Sequence, residues 1–343
     1  MGWKRDAFEF LPRIVAAFAP CAEEAPAAPR SIFVLRNNDL GDVLAATPLF
    51  EALRRRFPQS RIVAGVGDWA APIFDGNPNV NEVLPINAPW HNAQMRPHGT
   101  GAALRYIVAS REAAELAARR FDTGIDVLGS AFGSLLLMRA GIPFRLGVRG
   151  YAGGHSAAQR CVAFDAREQV GRSALRFAEL LGATDLPENR PQIYLKETPA
   201  QTGAIVFAPG GGYPEKCWSG SSFAALAGML GDAPITVIGS EKDRALGALI
   251  ASAGSHVSDH TGRLSLRESF EVIAGAKMVV CNSSMAMHAA AAFRKPTLAL
   301  LGSAMPSADS HAAQWAYPET CVMRQPPPEE ARERLRAMLA QMP

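Results

Sequence analysis

Short runs of branched and aliphatic residues, most of them followed by glycine, asparagine or another turn-forming residue, recur through this chain and constrain its fold more than any other feature. They occupy 31–35, 61–66, 82–86 and 123–128, then 204–208, 235–238, 277–281 and 297–301. A strand that is apolar on both faces must be covered on both, which is the situation of strands in a parallel sheet. Between the runs lie segments of helical periodicity at 43–57, where Pro48 sits awkwardly near the start, and at 102–120, 223–230 and 285–293. Strands alternating with helices predict a doubly wound α/β sheet. The alternation stops where Pro187, Pro191 and Pro199 bracket a polar stretch with one short apolar run, 193–195, and then it restarts. Two α/β domains in series are expected, 31–190 and 191–328, a division that suits a chain of 343 residues. An N-terminal helix and linker fill 1–30, and a C-terminal helix fills 329–343 with an acidic start and a basic continuation that suit the helix dipole.

Composition removes several function classes. The net charge is only +3, with 22 Lys/Arg against 19 Asp/Glu in residues 1–190 and 13 of each thereafter. That is too weak an excess for a nucleic-acid partner, though it would suit an anionic acceptor. The five cysteines are scattered and form no C-x-x-C pair, so neither a zinc site nor a disulfide framework is indicated, and thiols in a reducing cytoplasm are expected. No apolar run reaches the roughly 20 residues that span a bilayer. The first residues are basic, but Glu9 and Arg13 interrupt the apolar stretch behind them, which argues for an amphipathic helix over a signal peptide. Such a helix packs on the body of the protein or lies on an anionic inner membrane surface.

Ligands of doubly wound sheets bind outside the carboxyl ends of the strands, so the turns there are the candidate chemistry. The first turn is Arg36-Asn37-Asn38-Asp39-Leu40-Gly41-Asp42. Gly41 permits a tight backbone path, and Asp42 falls near a helix N-terminus, where the dipole favours a carboxylate that acts as a base or merely caps the helix. The turn lacks G-x-G-x-x-G, which argues against a nicotinamide dehydrogenase. The second turn carries Gly210, Gly211 and Gly212 ahead of Lys216, a combination that cradles an anion or forms a plain loop with a surface lysine. It is not a Walker A loop, since no Ser or Thr follows a Gly-Lys pair. The third, Asn282-Ser283-Ser284-Met285, opens a helix whose first N–H groups can receive phosphate oxygens, with His288 one turn further in as a ligand or a structural residue. The turn after 235–238 holds Glu241 and Asp243, which reach a ribose or cap a helix. The spacing of His91 and His98 supports no metal site.

Taken in order, these turns resemble glycosyltransferase family 9, which includes the lipopolysaccharide heptosyltransferases. The matching residues are Arg36-x-x-x-Leu-Gly-Asp42 with Thr47-Pro48, Pro209-Gly-Gly with Lys216-x-Trp218, Gly239-x-x-x-Asp243, Asn282-x-Ser284-x-x-x-His288, and Lys295-Pro296-Thr297 with Leu301-Gly302. The resemblance covers about 31 to 310. It implies a GT-B fold, two Rossmann-like parallel-sheet domains facing a central cleft. It also implies sugar transfer from a nucleotide donor, commonly ADP-heptose, with inversion at the anomeric carbon and with neither cofactor nor essential metal. Asp42 would deprotonate the acceptor hydroxyl and Lys216 would neutralise the departing nucleoside diphosphate. The donor would rest on Gly210–Gly212, Asn282, Ser283, Ser284, Met285 and His288, with Glu241 or Asp243 at the ribose. Where the family has Asp-Ser/Thr-Gly, this chain has Ser283-Ser284-Met285, and Met285 forgoes the backbone freedom of glycine.

For the acceptor, loops at 87–101 and 130–155 are the candidates, and Arg139, Arg145 and Arg149 would meet phosphorylated sugars of a lipid-linked glycan or lie as solvated charges. Two other readings stand beside transfer: a nucleotide-sugar epimerase or hydrolase of the same architecture, and a non-catalytic sugar-nucleotide-binding scaffold.

Overall fold

The structure is a computed structural model that describes residues 2–342, with side chains described from Glu9 onward. The chain divides into two compact units, Met1–Asn189 and Arg190–Pro343. The first opens with helix α1 (Gly2–Ala16) and continues through β1 (Ser31–Leu35), α2 (Leu40–Ala46), α3 (Pro48–Arg56), β2 (Arg61–Val66), β3 (Glu82–Pro85), α4 (Thr100–Ala109) and α5 (Arg111–Ala118). It ends with β4 (Thr123–Asp126), α6 (Ala131–Arg139), β5 (Phe144–Arg149), β6 (Arg160–Ala163) and α7 (Val170–Leu180). The second unit runs β7 (Ile205–Ala208), α8 (Gly220–Gly228), β8 (Ile235–Val237), α9 (Arg244–Ala251), β9 (Val257–Asp259) and α10 (Leu266–Gly275). Then come β10 (Met278–Cys281), α11 (Met285–Ala292), β11 (Thr297–Leu301), α12 (Ala308–Trp315), β12 (Thr320–Arg324) and α13 (Pro328–Ala340).

Each unit holds one six-stranded sheet, in the orders β3-β2-β1-β4-β5-β6 and β12-β11-β10-β7-β8-β9, and every pairing is parallel. Renumbered from its own first strand, the second order is the first read backwards. Both units therefore have the same doubly wound topology, in which the strand order reverses beside the first strand. The reversal falls between β1 and β4 in one unit and between β7 and β10 in the other, and the turns leaving those strands are Arg36–Asp42, the turn after Asp126, Pro209–Trp218 and Asn282–Met285. The expected two-sheet α/β architecture is present.

One face of each sheet is covered by a buried apolar cluster. Phe33, Val63 and Leu84 of the first sheet pack with Ile107, Leu116, Phe121 and Leu136, all buried. Phe207, Val237 and Val280 of the second pack with Phe223, Leu226, Ile250 and Leu335. Full burial of one such side chain is worth about 1.5–3 kcal/mol.

Several expected elements differ in detail. The helix 43–57 is two helices, because Pro48 occupies the first position of α3, where a missing N–H costs nothing, and Thr47 turns the chain with its hydroxyl on the Leu44 carbonyl at 2.7 Å. The helix 102–120 breaks at Ser110, which adopts an extended conformation and caps α5 by accepting the Ala113 N–H. The segment 130–155 is not a loop: it contains α6 and β5. Gly41 sits inside the first turn of α2, so a sharp bend is not what it supplies. In α13 the acidic first turn is present as Glu329 and Glu330, but the last turn holds no basic residue. Among the described residues, no helix is long and apolar enough to cross a membrane.

Candidate functional site

In the first unit the chemistry gathers where β1 and β4 part. Asp42 lies in the first turn of α2, and Asp39 is the residue preceding that helix, but Asp39 makes no side-chain cap bond. Its Oδ1 instead accepts the Ala93 N–H at 2.9 Å, so it tethers the 87–98 segment. Asn37, Asn38 and Asn92 extend the same stitching: Asn38 Nδ2 donates to the His91 carbonyl at 2.8 Å, and Asn92 Nδ2 donates to the carbonyls of Ala88 and Trp90 at 2.9 and 3.0 Å. Asp42 accepts a charge-assisted bond from Arg36 at 2.9 Å. The Arg36 side chain is 5% exposed and that of Asp42 28%, so a buried guanidinium orients a carboxylate that still reaches solvent. Asp126, at the end of β4, is buried, and burial pushes its carboxyl up to about 6 against the N–H groups of Ser130, Gly129 and Leu128 and the charge of Arg36. The turn behind it needs Gly129, which is left-handed at φ +67°.

In the second unit the corresponding place is sewn from the backbone. Asn282 follows β10; its Oδ1 accepts the Trp218 N–H at 2.8 Å and its Nδ2 donates to the Pro209 carbonyl at 2.5 Å, so it clasps both ends of the glycine loop. The loop is also pinned to the end of β11, where Gly302 N–H donates to the Lys216 carbonyl at 2.8 Å and Ala304 N–H to Glu215 at 3.1 Å. A Cβ on Gly302 would fall 2.7 Å from the Lys216 carbonyl carbon, so only glycine permits this approach. Lys216 ends a 3₁₀ turn, Pro214–Lys216, and its exposed ammonium lies 4.4 Å from the Tyr213 ring centroid. Beside the loop, α11 begins at Met285 with Ser284 extended and making no cap bond, so its N-cap side chain leaves the helix N-terminus uncapped.

The structure rearranges the roles expected of the other candidates. Gly210 and Gly211 serve packing: a Cβ on the first would lie 2.6 Å from the Asp243 carboxylate, and on the second 2.5 Å from Cys217 Sγ, while Gly212 faces open space. Asp243 is a capping residue, buried, with Oδ2 taking the Ser240 N–H and O–H at 2.8 and 2.6 Å, which leaves the exposed Glu241, paired with Arg244 at 2.6 Å, as the remaining carboxylate of that turn. Asn282 is 1% exposed, and the amide expected at the donor is engaged as the loop clasp. His288 is also interior. Its Nδ1 lies 3.0 Å from the Tyr317 hydroxyl, and burial, with His311 nearby, pushes it down to about 3, so it is a neutral ring that adds no charge to a phosphate site. Ser283, Ser284 and Met285 remain half-buried at the helix start.

The arginines divide. Arg145 is 2% exposed, with Nε on the Ala157 carbonyl at 2.7 Å and Nη1 on those of Pro20 and Ile142 at 2.6 and 2.5 Å. Its donors are committed inside the fold, which removes it from the acceptor set. Arg139 is exposed but closes α6, at the edge of the sheet away from Asp42, because that helix starts beyond the end of β4 and runs back. Arg149 ends β5 at the same edge as Asp42 and is exposed, so of the three it alone meets the positional requirement.

Three residues were passed over at the level of sequence. Arg36 belonged to the quoted motif, and its position at the end of a buried strand was the signal that it would itself be buried. Asp126 was a carboxylate inside an apolar run. His311, on α12, is 5% exposed with Nε2 unpartnered, and burial and the charge of Lys216 push it down to about 4; nothing in its surroundings in sequence marked it. Among the described residues, no three His, Cys, Asp or Glu side chains gather closely enough to hold a metal ion.

Two doubly wound sheets of like topology, one with an arginine-held carboxylate and the other with a lysine loop beside an uncapped helix start, define the class of two-sheet α/β proteins. The chain belongs to glycosyltransferase family 9 (heptosyltransferase), whose profile matches residues 110–337, and it is a glycosyltransferase. It is 28% identical over 301 residues to lipopolysaccharide heptosyltransferase 2 of Escherichia coli, covering 80% of this chain and 83% of that protein. It is 25% identical over 311 residues to lipooligosaccharide heptosyltransferase 2 of Haemophilus ducreyi, covering 80% and 84%. In fold it is similar to the E. coli ADP-heptose heptosyltransferase II structure, with a TM-score of 0.70 and 23% identity over 91% of this chain and 99% of that one. A family 9 glycosyltransferase from Veillonella parvula gives a TM-score of 0.74 at 18% identity over 94% and 100%. These likenesses bear out the GT-B architecture.

Proposed function

We propose that this chain is an inverting heptosyltransferase that works without a metal, taking heptose from ADP-heptose to a hydroxyl of a lipid-linked glycan core. In this reading Asp42 removes the acceptor proton as the hydroxyl oxygen attacks the anomeric carbon. The bond to the diphosphate breaks on the opposite face, so the configuration inverts, and the pair of electrons leaves with ADP. Lys216 and the open N-terminus of α11 take up the charge on that leaving group, which is the task a metal performs elsewhere. Arg36 holds the base in place, Glu241 is the carboxylate nearest a ribose role, and Arg149 is the arginine left for an anionic acceptor. The relatives named for lipopolysaccharide support the acceptor class, and the ADP-heptose named in a structural neighbour supports the donor. The reading includes a cytoplasmic protein that works at the inner membrane surface, where such an acceptor resides.

The observation that carries it is the backbone-pinned Lys216 loop lying beside an uncapped helix start. Transfer from ADP-heptose, followed by product NMR for the anomeric configuration, tests it. Asp42→Ala is expected to lower kcat by about 10²–10⁴ with donor affinity kept. Lys216→Ala should cost about 10² or more and weaken ADP binding. Full transfer by Asp42→Ala, a retained anomeric configuration, or loss of turnover on chelation would sink it. Rapid donor breakdown without acceptor would favour a hydrolase or epimerase instead.

A further inference from the structure

We propose that the outer face of α1 is a docking surface for an anionic lipid bilayer, an inference that rests on the membrane-side reading above and names its contact. The inner face of the helix is committed. Glu9 is buried, and its carboxylate accepts the N–H groups of His155 and Ser156 at 3.1 and 3.0 Å while pairing with His155 Nδ1 at 2.6 Å. Burial alone would raise this carboxyl, but the bonds from Ser156 and His155 outweigh it and hold it below the usual range. Pro12 is buried on the same side. Beyond the helix, Ala22 N–H donates to the Pro143 carbonyl at 2.9 Å and Arg145 grips the Pro20 carbonyl, so the segment that follows is tied down as well.

With that side fixed, Phe10, Leu11, Ile14 and Phe18 are left 67%, 39%, 45% and 87% exposed. At about 100° per residue, Phe10, Leu11 and Ile14 fall in one sector of about 100°, and Phe18 follows in the turn that ends the helix. Exposed Arg13 flanks the stripe, Lys4 and Arg5 belong to the same helix, and the carboxylate of Glu9 is spent on His155. An apolar stripe bordered by cations matches the interface of an anionic bilayer, where the side chains enter the acyl boundary and the cations meet phosphate.

A second copy of this chain is a poorer occupant. Allowing about 200 Å² for each of these side chains, the exposed fractions leave on the order of 450 Å², about half of the ~800 Å² per partner of a stable interface. Two copies would also oppose like charges. A neighbouring aromatic pair enlarges the lipid reading: Tyr151 and Phe164, 48% and 39% exposed with centroids 4.5 Å apart, lie beside exposed Arg149. Tyr151 is four residues from His155, hence within about 14 Å of the point where α1 is anchored.

The test uses the purified full chain and vesicles of phosphatidylcholine alone or with phosphatidylglycerol. The wild type is expected to sediment with the anionic vesicles at low salt and to leave them as salt rises. Phe10→Ser with Phe18→Ser, and separately Arg13→Glu, should each weaken binding about tenfold or more while leaving the Tm and turnover on a water-soluble acceptor unchanged. No wild-type binding, or equal binding by the variants, overturns the proposal. So does a concentration-dependent dimer that the Phe variant abolishes without any vesicle binding, since a second copy would then be the occupant. Vesicle binding by a chain that transfers no heptose would instead remove the functional reading and leave this surface standing.

Discussion

Arg145 shows how much a single side chain can be asked to hold. Its guanidinium closes three backbone carbonyls, one of them in the segment that follows α1, so Arg145→Ala should cost about 3 kcal/mol or more of stability, seen as a lower Tm. The acceptor KM should stay as it was. Arg149→Ala is the converse case, with Tm unchanged and acceptor KM raised. The histidines set a pH dependence. His288 and His311 are pushed down to about 3 and 4, so on acidification the unfolded chain binds protons that the folded unit does not. Their contribution is therefore complete above about pH 6.5 and is lost as the pH falls toward 4. Asp126 acts in the opposite sense: its folded value near 6 exceeds the unfolded one, so it favours the fold below pH 4 and loses that effect as the pH rises through 6. The second unit should thus be the acid-sensitive one. Calorimetry between pH 7 and 5 should find His311→Asn relieved of about 2 kcal/mol of the wild-type loss.

At the scale of elements, the Lys216 loop is shaped by contacts that its own residues do not reveal. Asn282→Leu keeps the branched outline but removes both the acceptor for Trp218 N–H and the donor to Pro209, leaving buried backbone groups unpaired; a loss of about 2–4 kcal/mol and weaker ADP binding are expected, read by denaturant melts and titration calorimetry. The strands buried on both faces were legible because continuous apolar runs leave few other choices. Those that escaped were short or carried polar residues: β6 reads Arg-Cys-Val-Ala, β9 only Val-Ser-Asp, and β5 places Arg145 and Arg149 in its run. The glycine in α6 hid a helix in the same way. Of the site, the turns were legible because strand ends are where ligands sit. What could not be read was which polar atoms the fold consumes. Asp243, Asn282, His288 and Arg145 are the right residue types near the right places, yet each is spent on a neighbour far away in sequence or inside a cap, and only three-dimensional packing reveals that.

For the whole molecule, two units of one topology carry different kinds of equipment: charged side chains in the first, main-chain groups and a lysine in the second. ADP, which on this reading binds the second unit, should raise the Tm of the intact chain by mass action, by about 2.7 kcal/mol of stabilisation at a hundredfold excess over Kd, and Lys216→Ala should blunt the rise. The way the Lys216 loop is fastened has a further consequence. Its position is set by the Gly302 and Ala304 amides and by Asn282, none of which depends on the side chains at 213 to 216. The side chains at 213 to 215 can therefore be exchanged while the track they stand on stays put, with Lys216 kept for its charge. For anyone wishing to retune which activated sugar this scaffold accepts, that stretch is the place to diversify, and Gly302 and Asn282 are the two positions to leave alone.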